Sequence, residues 1–141
     1  MTQTTYNETL DAGRNGGIVN TEPKTLISRT VEEAAGLGFG VAVSQGANDQ
    51  GCVLTTGANT VVGVSVRERS VTNEDDTWSQ YDSARIMTSG VIWVVAKVAI
   101  VAGDVVHFNA GWDKTGGAEV TNARYDSSGA IGDLVKLRLS N

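Results

Sequence analysis

Few residues in this chain are able to do chemistry. His107 is the one histidine among 141 residues, and Cys52 the one cysteine. A single imidazole cannot build a histidine-rich metal centre, and a Ser-His-Asp site would have to be assembled around it alone. Lying between Val106 and Phe108, His107 faces opposite to them on a strand and reads as a rim or surface group. Cys52 has no disulfide partner, no second thiol for zinc and no pattern of activating neighbours, so it reads as a small buried hydrophobe. Glu74, Asp75 and Asp76 form an acidic run without EF-hand spacing, which reads as a solvated loop rather than a calcium site. The run 36–40, Gly-Leu-Gly-Phe-Gly, has the composition of a phosphate loop. It leads into a strand pattern, so no helix N-terminus waits for an anion, and close backbone packing explains it better. No catalytic residue, cofactor or metal is expected. Trp78, Tyr81 and Trp112 lie beside loops, with Trp112 expected exposed near a hairpin apex; exposed aromatics there could form a protein contact or a sugar platform.

The bulk properties agree with a binding protein. The length suits one domain with a real core, and 40% hydrophobic residues suit a globular one. A net charge of −5 and the lack of any basic run disfavour a nucleic-acid surface. No stretch could span a bilayer as a helix, and the first residues have neither a charged n-region nor an apolar h-region, so synthesis in the cytoplasm is expected. Seventeen glycines scattered without period, against one proline, fit many tight turns between short strands.

The elements that would position any site are organised around residues 86–106, the longest apolar stretch. It reads as a central pair of strands. Val91, Ile92, Trp93, Val94 and Val95 are apolar without a break, which predicts burial on both faces and a core place for Trp93. Gly90 predicts a bend, and Gly103-Asp104 a turn. Upstream, residues 25–31 and 39–44 read as strands with 32–35 as a turn, and 52–55 and 62–66 continue a meander. Downstream, Val135, Leu137 and Leu139 alternate with Lys136 and Arg138, the cleanest half-buried strand in the chain. Many short strands without a convincing helix predict an all-β fold: an antiparallel sandwich, jelly roll or barrel.

Residues 1–23 are polar and read as an extended N-terminal arm, with Tyr6, Leu10, Ile18 and Val19 as spaced apolar anchors; residues 24–141 form the single β-domain. Such an arm should order against a partner, by laying a strand along an exposed sheet edge.

Four motifs in order carry a resemblance: 38–43 (GFGVAV), 63–68 (GVSVRE), 90–94 (GVIWV) and 102–106 (AGDVV). From about Ser28 to the C-terminus the chain resembles phage capsid cement proteins, and is similar to the cement or decoration proteins of short-tailed Bordetella-type bacteriophages. The resemblance implies a non-enzymatic β-sandwich of jelly-roll type. It implies self-association as a homodimer, with a trimer as the other option, and binding to the outside of an HK97-like shell of major capsid protein. Tyr6, Leu10, Ile18, Val19, Trp78, Tyr81 and Trp112 are the candidate partner contacts. A carbohydrate-binding or adhesive virion module using Trp78 and Trp112 is the alternative.

Overall fold

The computed structural model describes residues 15–19, 22–57, 59–67 and 77–140. Among them are eleven strands and no helix. The first half holds β1 (Thr25–Val31), β2 (Leu37–Gly38), β3 (Ala42–Gln45), β4 (Gly51–Leu54), β5 (Val61–Ser65) and β6 (Thr77–Trp78). The second holds β7 (Ser83–Val95), β8 (Val105–Phe108), β9 (Trp112–Asp113), β10 (Ala118–Tyr125) and β11 (Leu134–Ser140).

Nine strands form one sheet in the order β1-β4-β3-β5-β7-β11-β10-β8-β9, and β2 pairs separately with β6. The ladders are antiparallel except β1–β4, where Thr30 and Val31 run parallel to Gly51 and Cys52. Because β1 also pairs with β7, the first five strands of that order close on themselves. The far end returns as well: Ala96 bridges Trp112, and the Lys97 amide donates to the Trp112 carbonyl at 2.8 Å. The result is a sheet with two barrel-like closures that share β7. Closure removes free sheet edges, which otherwise template aggregation.

At 13 residues, β7 is long enough to serve both halves. Its early residues pair with β1, from Thr30↔Ser83 to Thr25↔Ser89, and its later ones with β11, from Ser140↔Ser89 to Leu134↔Val95. The handover falls at Gly90, whose φ of +131° no other residue type adopts readily, and where a Cβ would meet Lys24 and Met87. The expected bend is therefore present. The expected pairing within residues 86–106 is not: β8 pairs with β10 and β9, and residues 96–104 are a long connection clasped where Ile100 bridges Gly129.

One core cluster includes Ile92, Val94, Phe108, Tyr125, Val135 and Leu137, and a second gathers Val31, Leu37, Phe39, Trp78 and Ile86. Burying each such side chain contributes about 1.5–3 kcal/mol. On β11 the predicted alternation holds, with Val135, Leu137 and Leu139 buried. Trp93 differs from expectation: it is half-buried on the outer face of β7, with the Lys136 ammonium 5.6 Å from its ring centroid. Ile92 and Val94 take the inward places; on the other face Val91 is buried beneath the strap of residues 15–19, Trp93 is half-buried and Val95 is exposed, so the expected burial on both faces holds only at the start of the run. The predicted strand 39–44 is shortened to β3, because a bend at Phe39-Gly40 separates it from β2.

Two local devices set the loops. Glu32, in the turn after β1, reaches the 46–51 loop and accepts hydrogen bonds from the Ala47 and Asn48 amides at 2.9 and 3.2 Å. Its carboxylate occupies the space that a Cβ on Gly46 or Gly51 would need. The second device occurs three times, at 79–82, 101–104 and 130–133. In each, the fourth residue is an Asp whose Oδ2 accepts the first residue's amide at 2.9 Å. Its own amide donates back to the first residue's carbonyl at 3.0–3.1 Å. The third residue has positive φ, as a type II turn requires: Tyr81 (72°), Gly103 (94°) and Gly132 (85°). In all three the Asp is followed directly by a strand: β7, β8 or β11.

Candidate partner-contact surface

The structure separates the three loop aromatics. Trp112 is 2% exposed, not an apex side chain. Because β9 folds back to the end of β7, the indole packs edge-on to Phe108 at 5.0 Å and donates its Nε1–H to the Gly40 carbonyl at 2.6 Å. Tyr125 seals the same corner through its hydroxyl, which donates to the Asp113 carbonyl at 2.7 Å. Trp78 is also 2% exposed, edge-on to Phe39 at 4.7 Å, because the β2–β6 ladder folds it into the second core cluster. Both indoles are withheld from any partner of the folded chain.

Tyr81 is 74% exposed, and among the described residues it is the one exposed aromatic side chain. A sugar platform needs planar rings side by side, and among the described residues Tyr81 has no exposed aromatic neighbour to supply one. The most exposed aliphatic residues, which sequence reasoning missed, are Ile131, at 74%, and Val101, at 60%. Both sit on turns of the same construction as Tyr81. The readable signal was an apolar residue inside an x-x-Gly-Asp turn, in VAGD and AIGD.

Ile18 and Val19 are half-buried against their own chain. The Gly16 amide donates to the Trp93 carbonyl at 2.8 Å, the Trp93 amide to Gly17 at 2.9 Å, and the Val19 amide to Val91 at 3.2 Å. The Arg67 amide donates to Gly16 at 2.8 Å, so residues 15–19 form a strap between the end of β5 and β7. This segment of the expected arm is part of the β-fold, since it supplies partners that β7 would otherwise leave to water. Tyr6 and Leu10 lie outside the described residues, as do Glu74, Asp75 and Asp76.

Two recesses are lined by described residues. One, of about 280 Å³, lies where strap, bend and β9 meet, lined by Asn15, Gly40, Val95, Ala96, Phe108 and Trp112 among others. The other, about 340 Å³, is lined by Asn122, Ala123, Arg124, Arg138 and Ser140. Arg124 stands opposite Arg138 across the β10–β11 ladder, an unfavourable like-charge pairing. It is offset by Glu22 and Asp126, which bond Arg138 at 2.7 and 3.0 Å and hold its guanidinium firmly charged. Neither recess resembles a catalytic centre. His107 Nδ1 contacts the Gly116 carbonyl at 3.1 Å and no nucleophile. Burial pushes the Cys52 thiol up to about 11, with Glu32 adding to the shift, so it stays protonated and unreactive near neutrality. Among the described residues no group of three or more His, Cys, Asp or Glu is placed to hold a metal.

A family model described as "Structural cement protein (E217 gp24/Pam3 gp6)" matches residues 2–140. The chain belongs to this family of phage structural cement proteins. The family is structural, and this cement-family chain is not an enzyme. A solved structure titled "The capsid of Myoviridae Phage XM1" contains a chain of similar fold, at a TM-score of 0.73 and 17% identity, with 99% of each chain covered. At that identity the likeness concerns the fold. No curated protein matches. The phages named with these matches are E217, Pam3 and XM1, and the narrower likeness to Bordetella-type cement proteins finds no support among them.

Proposed function

We propose that this cement-family chain binds the outer surface of an HK97-like capsid shell, made of the major capsid protein, and stabilises it without chemistry. The observation that carries this reading is the family match over residues 2–140. A doubly closed all-β body with exposed, hydrogen-bonded turns supports it, because a cement needs stability and contact points. Icosahedral repetition lets weak contacts hold a shell, since each engaged site raises the effective concentration of the next. The reading includes a jelly-roll description of the sandwich, the homodimer as solution state, synthesis in the host cytoplasm and incorporation into the virion from outside. Co-sedimentation with empty shells that lack this protein tests it: saturable pelleting with the shells supports the reading, and a supernatant-only protein ends it.

A further inference from the structure

Singly scattered exposed apolar residues are ordinary on protein surfaces. Tyr81, Val101 and Ile131 are different because all three ride on the Asp-locked turn, each closed by the same pair of hydrogen bonds. A side chain on a rigid turn loses little freedom on binding, which is how a small contact gains affinity. Tyr81 adds a second observation. It occupies the positive-φ position that its two sibling turns give to Gly103 and Gly132. A bulky side chain there strains the backbone, and at 74% exposure the ring recovers nothing by burial within the fold.

The placement of the turns matters as much as their construction. The turn 79–82 leads into the first residue of β7, Ser83. The other two lie together at the far end of that strand. Ile100 and Gly129 exchange backbone hydrogen bonds at 2.9 and 3.0 Å, Ala102 donates to Ser128 Oγ at 3.0 Å, and Gly132 donates to the Ala96 carbonyl at 2.8 Å. At about 3.3 Å per residue, an unbent strand of this length separates its ends by roughly 40 Å, and the bend at Gly90 shortens that.

We infer that the molecule grips at both ends: Tyr81 at one, Val101 with Ile131 at the other, each seated in an apolar recess on a different subunit of the shell. One copy thereby ties two subunits together. This deepens the shell-binding reading and rests on it.

The test titrates three proteins onto empty shells lacking this component: the unmodified chain, Tyr81→Gly, and the double variant Val101→Ser/Ile131→Ser. Glycine suits the backbone at 81, and all three positions are exposed, so the free variants should melt at or near the parent temperature. Each variant should bind on the order of tenfold more weakly, as loss of an anchor residue does. At saturating concentration each should still pellet with shells through its remaining end, yet raise the shell disruption temperature far less than the parent does. If either variant binds and stabilises like the parent, the two-ended grip is wrong while shell binding stands. If the unmodified chain fails to pellet with shells, the shell-binding reading itself fails, and the grip with it.

Discussion

Glu32 shows how one side chain decides a loop: its carboxylate satisfies amides 15 and 16 positions away, and Gly46 and Gly51 leave it room. Glu32→Ala should cost about 1–2 kcal/mol, read as a lower denaturant midpoint at unchanged slope. Gly51→Ala should be destabilising alone and much less so on the Glu32→Ala background, because the colliding carboxylate is gone. The two tryptophans should also part company. Trp93→Ala, on the outer face, should cost less than the ~3–5 kcal/mol of a core aromatic, whereas Trp112→Phe should cost about 1–3 kcal/mol by leaving the Gly40 carbonyl unpaired. Sequence could not separate them, since the fate of Trp112 depends on a carbonyl 72 residues away. Alkaline pH gives a further test. The Cys52 thiol moves from 9.0 to about 11 on folding, and burial moves the Tyr125 hydroxyl upward as well. Groups raised in this way favour the fold fully below their unfolded values and lose that contribution as pH rises through the folded ones. Stability should therefore fall from pH 9 to 11, and Cys52→Ala should flatten the first part of that fall.

Among the elements, β11 was the most legible, because strict alternation of Val135, Leu137 and Leu139 with charged residues has one reading. The bend at Gly90 was legible for the same local reason. The separation of β7 from β8 was not, since nothing in 96–104 announces that β11 and β10 will intervene. The strap is not legible as part of the fold because Asn15-Gly16-Gly17 carries no strand pattern and its bonds to β7 are backbone ones. Deleting residues 1–19 should lower the melting temperature, because it exposes the β7 backbone at Val91 and Trp93. The Asp-locked turns make a matching pair of expectations. Gly132→Ala should cost about 1–2 kcal/mol, the penalty of a Cβ in the left-handed region, and Tyr81→Gly should cost nothing. A destabilised Tyr81→Gly protein would mean that the ring serves the fold after all.

At the scale of the whole molecule, the all-β class was legible from composition and turn density, while the double closure was not. Closure depends on β1 meeting β7 and on Trp112 meeting Ala96, pairings far apart in the chain. In the body that results the two halves share β7, and the three most exposed large apolar residues, Tyr81, Ile131 and Val101, ride on locked turns. Such a body suits a clamp. Whether it sits outside a phage shell, as proposed, can be seen in an electron-microscopy reconstruction of the assembled particle. The map should show an all-β domain of this fold on the outer face of the shell, touching two neighbouring major capsid subunits through opposite ends of β7. A shell whose outer face carries no such density, with the protein found instead in the lumen, on the tail or absent from the particle, would contradict it.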